Sequence, residues 1–71
     1  MAPKHLSRFA ILHGHDVIQL HAQRFSAAEI AYMLVLPREL VRGFISDYAN
    51  DLADPAFAET LLRATQSNFR A

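Results

Sequence analysis

Helix boundary signals recur at short intervals along this chain and restrict it to short helices with tight connections. The signals are prolines, capping residues and one glycine between histidines: Pro3, His13-Gly14-His15, Ser26, Pro37 and Asp54-Pro55. Between them, apolar residues recur at spacings of three and four, which is the period of an α-helix with one buried face. No segment alternates with period two long enough to indicate a strand, so the sequence predicts an all-α fold.

Length and composition limit this fold to one core. A chain of 71 residues is too short for two hydrophobic cores, so we expect a single helical domain over residues 1–71. Hydrophobic residues make up 52% of the chain, and the absence of Cys leaves helix packing or oligomerisation to stabilise it. The sequence therefore predicts a compact bundle of four or five helices.

The boundary signals assign the helices. We expect a first helix from about Leu6 to His13, a second from Asp16, a third from Ala27, a fourth from Pro37 to about Ala49 and a fifth over residues 55–68. The third helix has the most specific start signal, because Ser26 followed by Glu29 matches a capping box. This helix should end near Val35, because proline disfavours helical backbone before it and suits the first turn of the next helix.

The segment from Val17 to Ser46, VIQLHAQRFSAAEIAYMLVLPRELVRGFIS, resembles the helix-turn-helix DNA-binding superfamily. That pattern has an aliphatic residue followed by Ala in its first helix, apolar residues around a turn, and two more in its second helix. These positions hold Ile30, Ala31, Leu34, Leu36, Val41 and Phe44. A small residue lets the two helices cross closely while the others fill the wedge between them. The resemblance implies a helix-turn-helix unit over about residues 16–49 in a small bacterial or phage-type regulator.

The turn departs from the superfamily pattern at one position. Gly usually occupies it because the backbone there is often left-handed, whereas this chain has Val35. A β-branched residue with positive φ is costly. We therefore expect Val35 to adopt an ordinary backbone conformation and the turn or the interhelical angle to differ from the superfamily.

The resemblance implies a DNA-binding surface at the exposed start of the helix that follows Pro37. The candidate contacts there are Arg38 and Arg42, to guanine edges or phosphates, with Glu39 and Ser46 beside them. Candidates for further phosphate contacts are Lys4, Arg8 and Arg24. A homodimer is expected, because small modules of this kind usually bind two half-sites.

Charge keeps a second class of function open. Seven basic and seven acidic residues give no net charge, and Asp47 and Asp51 on the distal part of the fourth helix repel phosphates. The alternative is a small helical regulator that binds a transcription factor and not DNA. Six large apolar residues would provide its protein-binding surface where they are exposed, although we expect most of them in the core: Phe25, Tyr32, Met33, Val35, Phe57 and Phe69.

Catalysis and metal binding find little support in the sequence. The chain has no Cys, no Gly-rich phosphate loop and no nucleophile with an identifiable base, so we expect no enzymatic activity and no cofactor. His13, His15 and His21 with Asp16 lack the spacing of a metal site. Without a signal peptide or an apolar membrane anchor, a cytoplasmic location is the expectation.

Overall fold

A computed structural model describes the backbone of residues 6–70 and the side chains of residues 6–67. It contains four helices: α1 (Arg8–Ala22), α2 (Ala27–Leu34), α3 (Arg38–Asp47) and α4 (Pro55–Arg70). The central helix α1 packs against the other three, and α2 also packs against α3. The described part of the chain has no strand, and the prediction of an all-α bundle is confirmed.

The first two predicted helices are one helix. α1 continues through His13, Gly14 and His15, so the predicted break there is wrong. Gly14 is buried, and a Cβ added to it would lie 3.1 Å from Leu61 Cδ1 and 3.2 Å from Phe44 Cε2. The glycine lets α3 and α4 approach α1 closely, and this packing outweighs its low helix propensity.

The capping box at the start of α2 is formed. The Ser26 hydroxyl accepts from the Glu29 backbone N–H at 3.2 Å, and the Glu29 carboxylate accepts from the Ser26 backbone N–H at 2.8 Å. These hydrogen bonds lower the pKa of Glu29 from its usual 4.5, with the Ser26 backbone N–H as the largest cause. The start of a helix at Ala27 is confirmed.

The turn between α2 and α3 is left-handed at Val35, with φ 56° and ψ 51°, so the expectation of an ordinary conformation is wrong. The Val35 N–H donates to the Tyr32 carbonyl, and the Leu36 N–H donates to the Ala31 carbonyl at 2.9 Å. This is a Schellman motif, which satisfies carbonyls left free at the end of α2 and thereby compensates the strain. Because its side chain is 89% exposed, Val35 needs no packing space.

The core is formed by all four helices and by Tyr48, which directly follows α3. Its buried hydrophobic residues are Ala10, Val17, Ile18, Ile30, Ala31, Val41, Phe44, Tyr48, Phe57 and Leu61. A row of aromatic rings crosses it, with centroid separations of 5.8 Å for Phe9–Phe44, 5.0 Å for Phe44–Tyr48 and 5.2 Å for Tyr48–Phe57. The row links α1, α3 and α4, and so fixes α3 in the bundle.

Val35→Gly should stabilise the protein. Glycine removes a left-handed penalty of about 1–2 kcal/mol and loses no buried contact, although its more flexible unfolded chain offsets part of this gain. A net gain of about 0.5–1 kcal/mol raises the melting temperature of a chain of this size by a few degrees. Thermal denaturation measures the change.

Val35→Ala is the matched control, because alanine also removes the exposed side chain but keeps a Cβ that disfavours positive φ. Its effect should be clearly smaller than that of Val35→Gly. A Val35→Gly protein no more stable than the alanine variant would contradict a strained turn.

Candidate nucleic-acid interface

The four residues predicted for the DNA-binding surface are all exposed on α3. Glu39, Arg42 and Ser46 line one open depression, and its fourth lining residue is Gly43. Arg38 lies at the first position of the same helix, four residues before Arg42 and therefore on the same face. The structure thus brings the predicted α3 residues onto one surface, which we call the α3 face: Arg38, Glu39, Arg42, Gly43 and Ser46.

The arginines of the α3 face have no charged partner within the described side chains. Among the described side chains, the ion pair that forms is on α4, between Arg63 and Glu59 at 2.7 Å. Pro37 precedes α3 without forming a side-chain cap hydrogen bond, so the first turn of the helix also presents backbone N–H groups. Both features favour a negatively charged partner at the start of α3.

The remaining predicted phosphate contacts are spread around the molecule. Arg8 is exposed in the first turn of α1, where its neighbours Ser7 and Phe9 line a depression together with Glu39 and Gly43. Arg24 is exposed just beyond the opposite end of α1, with a left-handed φ of 73°. Lys4 lies outside the described residues. Arg8 is therefore the predicted residue whose immediate chain neighbours border the α3 face.

The motif residues lie where α2 and α3 meet. Ile30, Ala31, Val41 and Phe44 are buried, while Leu34 and Leu36 are partly buried against the core. Ala31 is only 5% exposed, as expected of a small residue where two helices pack closely. The pattern thus gives a helix, a short turn and a second helix whose polar side faces outward.

A second surface is apolar and exposed. Phe25, Ala28, Tyr32 and Met33 line a depression on α2 together with Glu29, and Val35 follows at the turn. Tyr32 is 87% exposed and Met33 43%. We call Phe25, Ala28, Tyr32, Met33 and Val35 the α2 face.

The α2 face corrects the expectation that most large apolar residues lie in the core. Phe57 is a core residue and Phe25 packs against the core, as expected. The expectation is wrong for Tyr32, Met33 and Val35, which are exposed because α2 packs only its Ile30–Ala31 side against the bundle. The Phe69 side chain lies outside the described residues.

Within the described part of the chain, no three His, Asp or Glu side chains lie together in a way that suits a metal ion. His15 contacts Gln19, with 3.5 Å between the His15 Nε2 and the Gln19 Nε2. No described helix is both long enough and apolar enough to cross a membrane. The candidate surfaces are therefore the α3 face and the α2 face.

Comparisons with protein-family models, with curated proteins and with solved structures found no match to this chain. No relative therefore supplies a family or an activity. Function is inferred from the residues of α2 and α3 themselves.

Sequence reasoning missed two features of these surfaces. Gly43 was not among the predicted contacts, although a glycine within a helix is a signal of close approach or of a functional constraint. No sequence signal indicated the exposure of Tyr32, because that exposure depends on how few elements pack against α2.

Ala31→Leu should destabilise the protein by about 1–3 kcal/mol, because the added atoms overpack the contact between α2 and α3. Ala28→Leu is the control: it makes the same change in the same helix at an exposed position and should leave stability nearly unchanged. Urea denaturation gives both free energies of unfolding. Equal effects of the two substitutions would contradict the assigned helix packing.

Proposed function

We propose that the protein is a small helix-turn-helix transcriptional regulator that binds duplex DNA through the α3 face. The observation that carries the proposal is the pair Arg38 and Arg42, exposed on one side of α3 and without an ion pair among the described residues. Two such guanidinium groups suit the phosphates and guanine edges of a major groove.

The geometry of the α2–α3 connection supports this proposal. Helix-turn-helix proteins usually have Gly in the turn to provide a left-handed residue, and here Val35 takes that conformation despite its branched side chain. The turn directs Val41 and Phe44 of α3 into the core. The opposite side of α3, with its arginines, is then available for insertion into a groove.

Charge along α3 favours one docking orientation. The N-terminal half has two positive charges, on Arg38 and Arg42, and one negative charge, on Glu39. The negatively charged Asp47 ends the helix, and Asp51 follows it. Phosphates repel these two aspartates. The N-terminal half of α3 therefore enters the groove, and the acidic end stays away from the DNA backbone.

The salt dependence of DNA binding tests the proposal. The protein is titrated against a random-sequence duplex at several salt concentrations, together with Arg38→Glu, Arg42→Glu and Arg63→Glu variants. If Arg38 neutralises a phosphate, Arg38→Glu should make the negative slope of log affinity against log salt shallower by about one. Arg42→Glu should weaken binding at every salt concentration, because it replaces a donor to DNA by a carboxylate. Arg63→Glu makes the same charge change on α4 and should alter the slope much less.

Two outcomes of this titration would contradict the proposal. The first is a wild-type protein without duplex affinity at low salt, where non-specific binding is strongest. The second is an equal effect of Arg63→Glu and the α3 reversals, because binding would then follow net charge and not the α3 face.

The exposed α2 face favours a second candidate function, a regulator that binds a transcription factor. Tyr32 and Val35 are almost fully exposed, and Met33 adds a flexible apolar side chain. A contiguous aromatic and aliphatic patch of this kind is typical of a protein-binding surface. In the DNA-binding proposal the same face joins two copies of the chain in a homodimer, as two half-sites require.

Substitution of the α2 face tests the homodimer. Tyr32→Ser combined with Met33→Ser should shift a dimer to monomers, because it removes apolar area from a small contact surface. Leu62→Ser, at another exposed apolar position on α4, is the control and should not. Sedimentation equilibrium measures the mass, and a wild-type protein that stays monomeric at all concentrations contradicts a homodimer.

A further inference from the structure

We propose that the depression around Gly43 recognises a C·G base pair, with Glu39 accepting from the cytosine amino group and Arg42 donating to guanine. This inference rests on the proposed DNA-binding function and adds the kind of base pair that the α3 face selects. Three features of the depression carry it: a carboxylate beside an arginine, a glycine without an internal packing role, and the spacing of Glu39 and Arg42.

Glu39 is exposed near the start of α3, and the ion pair described in the structure does not involve it. An ionised carboxylate is repelled by phosphates and can only accept hydrogen bonds. The donors in a major groove are the amino groups of cytosine and adenine. Adenine presents its N7 acceptor beside the amino group, which repels a carboxylate, so cytosine is the better partner.

Gly43 lacks a packing reason of the kind that Gly14 has. A Cβ added to Gly43 would have no neighbouring atom within 4 Å, so alanine would fit. Glycine within a helix destabilises it relative to alanine. The missing side chain therefore has its use outside the chain, where it lets a base edge approach the helix backbone next to Glu39.

The spacing of Glu39 and Arg42 suits neighbouring base edges. Residues three apart on a helix have Cβ atoms about 5–6 Å apart, and stacked base pairs rise by about 3.4 Å. The two side chains therefore reach the same pair or adjacent pairs. Arginine donates to the O6 and N7 acceptors of guanine, and the cytosine paired with that guanine presents the amino group from which Glu39 accepts.

The test compares the affinities of each protein for two short duplexes, one of alternating dC and dG and one of alternating dA and dT. Wild-type protein should prefer the C·G duplex by about five-fold or more, the lower range for one specific side-chain–base contact. Glu39→Gln should raise the affinity for both duplexes by removing a negative charge. It should also largely abolish the preference, because glutamine pairs well with adenine.

Asp16→Asn is the matched control, because it removes the same charge from an exposed residue of α1 and does not alter the depressions that Glu39 and Gly43 line. It should raise both affinities and leave their ratio unchanged. Glu39 also stabilises α3 through its position in the first turn, so a melting curve accompanies each variant. A purely structural role for Glu39 would lower stability without changing the ratio of affinities.

Gly43→Ala tests the close approach independently. It should raise the melting temperature while weakening binding to the C·G duplex, because the methyl group occupies the space of the base edge. Equal wild-type affinity for the two duplexes, or a preference unaffected by Glu39→Gln, would overturn the inference while leaving DNA binding intact. Absence of affinity for either duplex at low salt would contradict the proposed function itself.

Discussion

The left-handed turn at Val35 is the constraint on which the arrangement of α2 and α3 depends. It ends α2 with hydrogen bonds to the Ala31 and Tyr32 carbonyls and sends Leu36 back towards the core. Only with the chain reversed in this way does α3 pack its Val41 and Phe44 side against the bundle. The arginines of α3 point outward as a consequence.

Close packing at Gly14 then fixes this pair of helices within the bundle. The missing side chain admits Phe44 from α3 and Leu61 from α4 to the same point on α1. Phe44 is also part of the aromatic row, so its position is determined from both sides. A rigid support of this kind keeps an exposed helix face in one orientation, as binding to a groove requires.

The two glycines of the chain differ in what surrounds them. Gly14 is enclosed by core side chains, whereas Gly43 faces open space between charged residues. The exposed α2 face adds a second surface without an internal role, and its apolar character suits protein more than nucleic acid. The DNA contact proposed for α3 and the protein contact proposed for α2 are compatible, because they would use different helices.

The sequence by itself determined the helical class, the capped start of α2 at Ser26 and Glu29, and which residues of α3 are polar and which apolar. These features depend on local hydrogen bonds and on the helical period, both of which are encoded within a few residues. It also placed Arg38 and Arg42 on one helix face, since residues four apart lie together on any helix. Only the tertiary structure decided the rest. The unbroken α1 depends on close packing at Gly14, which outweighs the low helix propensity of glycine. The left-handed Val35 depends on the hydrogen bonds that end α2 and on the packing of α3 that follows, and the exposure of Tyr32 depends on how little of the bundle covers that side of α2.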